Sequence, residues 1–243
     1  MERLYVLILT AALLLAEGYA QIDLIQNVGA ALQAARLANT LTKVLSPCSV
    51  RDAACKVTNV DVVLALDASG SIDDAEFTSA KDASKIIVET IDISHPILPG
   101  GTRVGALKFT RGVVREFELN EHTSLASVKT NIDSIQNGNG LTNIQLALET
   151  SQLMIEKDFV EENNELIWLL TDGQSTVGNP IPRATNIKKL GWTICVVAIG
   201  NNVNDAEINA IASPDCVFKF GDFAQYVKVA TLALNRIQAS RAA

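Results

Sequence analysis

From Val60 onward, short continuous apolar runs alternate with longer stretches of helical period. The runs at 62–66, 167–170 and 194–199 suit parallel strands covered by helices on both faces. Residues 73–91 place Phe77, Ala80, Ser84, Ile87 and Ile91 on one helical face. Strands at 103–109 and 113–119, joined by Thr110-Arg111-Gly112, predict a hairpin whose second strand lies antiparallel at the edge. A helix at 124–135 is broken by Asn137-Gly138-Asn139-Gly140, and another follows at 143–156 with Ile144, Leu148 and Ile155 inward. Beyond the strand at 166–170, the pattern predicts a helix at 182–190 closed by Gly191 and a strand at 192–199. A helix at 205–212, a strand at 216–220 and a closing helix at 222–237 complete it.

This order predicts a doubly wound α/β fold. Its mostly parallel six-stranded sheet has one antiparallel edge strand and helices on both faces. The domain is assigned to 60–237, with 238–243 as a C-terminal tail. Ligands of such sheets bind outside the strand C-termini, and Asp67 ends the first strand.

The segment before the domain has a different pattern. Leu24, Val28, Ala31, Ala35, Ala38 and Leu45 recur at helical spacing, predicting an amphipathic helix over 21–47 that Pro47 ends. A linker at 48–59 carries Cys48 and Cys55. The helix has three open roles: packing on the main domain, self-association, or a removable pro-segment. Residues 1–20 combine Arg3, an apolar stretch at 4–15 and Gly18-Tyr19-Ala20, the pattern of a secretory signal peptide. The apolar stretch is shorter than the roughly 20 residues that span a bilayer, and no later segment is long and apolar enough to do so. A secreted, extracellular protein is expected.

Composition narrows the partners. The formal charge is −7, or about −6 without the leader, and no basic stripe occurs, so nucleic acid is not an expected partner. The 4 cysteines of a secreted chain predict two disulfides in one of three connectivities. Proximity favours Cys48–Cys55 and Cys195–Cys216. Cys-x-x-Cys and the common zinc spacings are absent, as is any Asn-x-Ser/Thr sequon.

The chemistry gathers at predicted strand ends. Asp67-Ala68-Ser69-Gly70-Ser71 follows the first apolar run, and Thr171-Asp172-Gly173 follows the fourth strand. Thr142 opens a helix, as its N-cap or with its hydroxyl turned to a metal. Two carboxylates and three hydroxyls are hard oxygen donors suited to Mg²⁺, Mn²⁺ or Ca²⁺, with positions left for water or an incoming carboxylate. His95 and His122 are expected on the surface, Trp168 in the core and Trp192 partly exposed. No general base, nucleophile pair or phosphate loop accompanies the acids, so an enzyme is not expected.

Asp67-x-Ser69-x-Ser71, Thr142 and Thr171-Asp172-Gly173 together resemble the metal-ion-dependent adhesion site of von Willebrand factor type A domains. Residues 60–72, 104–109 and 196–200 are similar to that family's first, second and fifth strands. The resemblance covers roughly 60–237. Leu141 and Ile144 depart from it, standing where many members have Gly or Thr. No cysteine follows Cys216, so the disulfide that joins the two ends of some members cannot form in that way. Members include matrilins, collagen VI and other non-fibrillar collagens, integrin I domains and invertebrate matrix proteins.

The resemblance implies a divalent cation held by Asp67, Ser69, Ser71, Thr142 and Asp172, partly through water. A protein ligand, such as collagen or another matrix protein, would complete the shell with an acidic side chain. The expected function is a secreted adhesion or extracellular-matrix module. The alternative is a structural matrix-assembly or biomineral-associated protein whose N-terminal helix makes homo-oligomers.

Overall fold

The computed structural model describes residues 26–45 and 59–242. The leader assigned to 1–20 and the Cys48–Cys55 pair fall outside the described residues. Helix α1 covers 26–45. The remaining elements run β1 (Asn59–Asp67), α2 (Asp74–Ser94), β2 (Arg103–Phe109), β3 (Val113–Phe117), α3 (Leu125–Ser134) and α4 (Ile144–Lys157). There follow β4 (Asn163–Thr171), α5 (Pro180–Lys189), β5 (Thr193–Ile199), α6 (Asp205–Ile211), β6 (Val217–Phe220) and α7 (Phe223–Ala242). The sheet order is β3-β2-β1-β4-β5-β6, and only β3 runs antiparallel.

The continuous apolar runs become strands because both sheet faces are covered. Val60, Val62, Leu64 and Leu66 join the core beneath α1, α2, α3 and α7, while Val63 and Ala65 join the one beneath α4, α5 and α6. Trp168 is fully buried, and its indole N–H donates to the Tyr226 hydroxyl of α7 across 3.1 Å. Cys195 and Cys216 are bonded, tying β5 to the start of β6.

Several boundaries differ from the sequence pattern. β1 and β4 start three residues earlier than the strands expected at 62–66 and 166–170, taking in Asn59, Asp61, Asn163, Asn164 and Glu165. Buried polar groups are tolerated when hydrogen-bonded or paired. Fully buried Asp61 binds the Arg103 guanidinium through both oxygens and accepts from Asn163 Nδ2 at 2.9 Å. Helix α5 starts at Pro180 because Asn179 caps it and proline suits the first helical turn. α7 continues to Ala242, so the expected tail is helical up to that residue. Trp192 is 6 % exposed and stacks on Phe159, and both histidines are half-buried rather than on the open surface.

α1 also uses a different face. Ala30, Ala34, Leu37, Ala38, Leu41 and Leu45 are buried, whereas Val28 and Ala31 are exposed. An Ala-rich helix offers more than one apolar stripe. The stripe carrying Leu37, Leu41 and Leu45 buries more side-chain area. Gln33 Nε2 donates to the Lys219 carbonyl of β6 at 3.3 Å, Lys228 of α7 donates to Asn27 Oδ1 at 2.8 Å, and Asn164 donates to the Val44 carbonyl.

Candidate metal centre

Asp67 ends β1 at the C-terminal edge of the sheet and is fully buried. One carboxylate oxygen accepts the Ser69 N–H at 2.9 Å, and the other accepts the Thr171 hydroxyl from the end of β4 at 2.7 Å. Burial pushes the Asp67 carboxyl up to about 6, against the opposing hydrogen bonds from Thr171 and Ser69. Among the described residues no Lys or Arg pairs with it. The anion is thus oriented by two donors and balanced by no cation.

From there the donors form a chain. The Ser69 and Ser71 hydroxyls lie 3.2 Å apart, and Ser71 donates to Asp172 Oδ1 at 2.9 Å. Burial likewise raises the Asp172 carboxyl, opposed by the Ser71 hydrogen bond, and nearby Glu76 adds to the rise. The loop that delivers Ser71 is fixed on its far side by a capping box, in which Asp73 takes the N–H groups of Ala75 and Glu76 and the Glu76 carboxylate takes that of Asp73.

Thr142 arrives on the loop after α3. Asn137 Nδ2 donates to the Ile72 carbonyl at 3.0 Å and to Asp74 Oδ1 at 3.1 Å, and Gly70 N–H donates to the Gly140 carbonyl at 3.0 Å. A Cβ at position 70 would stand 2.6 Å from Asn139 Oδ1, the end of an exposed side chain that can turn aside, and at an ordinary 3.6 Å from the Gly140 backbone. Gly140 takes a φ of 131°, which side chains disfavour. The cap of α4 is Asn143 rather than Thr142. Asn143 Oδ1 accepts from the Leu146 N–H at 3.0 Å while its Nδ2 donates to the Arg111 carbonyl at 3.1 Å. Thr142 is held by its backbone alone, through its N–H to the Thr176 hydroxyl and its carbonyl from the Thr176 N–H. Its hydroxyl has no protein partner among the described residues and is open to solvent.

Asp67, Ser69, Ser71 and Asp172 are therefore linked by direct hydrogen bonds or through one another, and Thr142 stands on the loop tied to Gly70. The sequence pattern assigns no role to Thr171, although it stands at a strand end beside Asp172, nor to the positioning residues Asn137, Asn143 and Thr176. Of the two departures, Ile144 is a core residue with no exposure, and Leu141 is 44 % exposed on the rim. His122 lines a cleft with Asn59 and Asn163 at the strand N-termini, away from this cluster.

The residues fit a hard divalent cation. All donors are oxygens, and one carboxylate is buried without a counter-charge. No group of three or more His, Cys, Asp or Glu among the described residues could hold a metal. Hydroxyls would therefore supply much of the ligand shell. Also among the described residues, no helix is long and apolar enough to cross a membrane.

The mouse Collagen alpha-4(VI) chain is 26% identical over 171 residues, covering 70% of this chain and 7% of that one. Human Matrilin-4 is 30% identical over 168 residues, covering 65% and 26%. This chain thus spans about a quarter or less of either relative. Among solved structures, proximal thread matrix protein 1 from the mussel byssus, with a zinc-occupied MIDAS motif, superposes with a TM-score of 0.65 at 26% identity. That match covers 74% of this chain and 46% of the byssus chain. The profile of the von Willebrand factor type A domain matches residues 61–232, and the chain belongs to that family.

Proposed function

We propose that this protein is a secreted adhesion or extracellular-matrix module that binds a protein ligand through a divalent cation, Mg²⁺ or alternatively Mn²⁺ or Ca²⁺. Asp67, Ser69, Ser71, Thr142 and Asp172 would hold the ion. The observation that carries this reading is the fully buried Asp67 carboxylate, oriented by Ser69 and Thr171 and paired with no cation among the described residues. The zinc-occupied motif of the byssus protein and the resemblance to collagen VI and matrilin chains support it.

A bound cation would supply positive charge that accepts a ligand carboxylate. The chain's residues prepare for this. Thr171 and Ser69 orient Asp67, Ser71 links the two loops, and the Thr142 hydroxyl is left free by the Asn143 cap. No histidine stands at the cluster, which supports binding rather than catalysis. The six apolar residues that α1 buries against its own domain speak against that helix as the driver of oligomers.

The test is solid-phase binding of the secreted protein to purified collagens and other matrix proteins, in MgCl₂ and in EDTA. The expected result is binding in MgCl₂ that is lost in EDTA and in Asp67→Ala. Binding unaffected by both changes would overturn the proposal.

A further inference from the structure

The metal site lies at one pole of the sheet, and the opposite pole offers a group of the kind it would accept. β4 spans Asn163–Thr171, with Glu162 directly before it and Asp172 directly after. At about 3.3 Å per residue the strand separates the two by about 30 Å. Glu161 and Glu162 form the exposed turn between α4 and β4.

Exposed glutamates are ordinarily just hydrated. These two differ from the rest. Neither makes a hydrogen bond or ion pair, whereas every other exposed carboxylate among the described residues has at least one. A carboxylate already paired must break that contact to reach a metal, and an unpaired one need not. The turn is also placed by apolar packing. Phe159, two residues earlier, stacks on Trp192 at 6.3 Å yet remains 51% exposed. The metal rim carries its own apolar side chain in Leu141, beside Thr142 and 44% exposed. Each pole thus sets an exposed apolar residue next to the group that would meet the metal.

We propose that a second copy of this chain is a ligand of the metal site, contributing Glu161 or Glu162 as the completing carboxylate, with Phe159 packing toward Leu141. This rests on the metal-dependent binding proposed above. Donor and acceptor surfaces lie at opposite ends of one strand, so the contact is heterologous. Repetition gives head-to-tail rings or open chains rather than an isologous dimer. Such chains suit a matrix component, and they leave α1 seated on its own domain.

Sedimentation velocity of the full secreted protein in MgCl₂ and in EDTA tests this. Association that grows with protein concentration is expected in MgCl₂ and monomer in EDTA. Glu161→Gln/Glu162→Gln should abolish association while keeping the thermal stabilisation by Mg²⁺. Asp67→Ala should lose both, with Ser71→Ala as the substitute if the Asp67 variant does not fold. Mixing the glutamine variant with the metal-site variant should give a complex of one copy each and nothing larger. One contributes an intact metal site and the other an intact turn.

Association that survives EDTA, or a glutamine variant that assembles like the wild type, would overturn the proposal. A wild type that remains monomeric in MgCl₂ would do the same. If it is stabilised by Mg²⁺ and binds matrix protein, only this inference fails. If Mg²⁺ neither stabilises it nor promotes any binding, the metal-site reading fails too.

Discussion

The Ser71 hydroxyl donates to Asp172 Oδ1 across 2.9 Å, joining loops that lie 101 residues apart in the chain. Ser71 is exposed, so this bond adds little to folding. Its position between Ser69 and Asp172 makes it a gauge of the site. Ser71→Ala should cost the metal-free protein about 1 kcal/mol or less. The rise in melting temperature on adding Mg²⁺ should be lost or greatly reduced. Differential scanning fluorimetry in MgCl₂ and EDTA checks both, and an undiminished Mg²⁺ response would remove Ser71 from the ligand set.

The loop bearing Thr142 depends on glycine for a steric reason. A Cβ on Gly138 would stand 2.9 Å from both the Ala68 carbonyl oxygen and Thr110 Cγ2. The first is backbone and cannot turn aside. Gly138→Ala should destabilise the domain by about 1–3 kcal/mol, the usual range for an overpacked position. It should also weaken Mg²⁺ binding, although position 138 donates no ligand. Urea unfolding and calorimetric Mg²⁺ titration measure the two effects separately.

At the other pole, Glu165 sits beside Asp61 in the β1–β4 register and is 7% exposed. Burial pushes its carboxyl up from 4.5 to about 7, with the Asp61 charge adding to the rise and Arg103 opposing it. The folded chain therefore holds this proton more tightly than the unfolded chain. The stability Glu165 contributes is fully present below about pH 4.5 and is lost as pH rises through about 7. A glutamine keeps the neutral shape of the protonated acid at every pH. Glu165→Gln should melt close to the wild type at pH 4.5 and clearly above it at pH 8. A difference that is constant across pH would rule out this assignment.

α1 belongs to the same folding unit if its buried stripe matters energetically. Leu37 and Leu41 have no exposure and join the core that contains Trp168, Phe218 and the Cys195–Cys216 pair. Leu41→Ala should lower the stability of the whole domain by about 2–5 kcal/mol, as for other large-to-small core changes. The unfolding transition followed by Trp fluorescence should stay single. An unchanged midpoint would mean that α1 is an independent appendage.

Much of the fold is legible in the sequence because the local pattern carries it. A strand buried on both faces must be apolar throughout, so the strand centres are readable without any tertiary knowledge. The strand starts are not. Asp61 and Glu165 look like loop residues until Arg103 and Asn163 are brought against Asp61. The stripe of α1 is ambiguous for a related reason. Alanines mark several helical faces equally, and the choice among them is made by what the helix packs against. At the site, Asp67, Ser69 and Ser71 share one loop and announce an oxygen cluster. The assignment of the α4 cap to Asn143, which frees Thr142, requires the Arg111 carbonyl from another turn.

Residue types and spacing alone supplied the doubly wound architecture, the strand-end acids and hydroxyls, and the family resemblance. These follow from short-range rules, namely which side chains a covered strand accepts and which atoms a hard cation prefers. The folded chain decided the rest: which face α1 buries, which buried acids gain a partner, and which surface carboxylates are left without one. Each of those outcomes depends on two groups remote in sequence meeting within a few ångströms, as Ser71 and Asp172 do. No local pattern encodes that proximity.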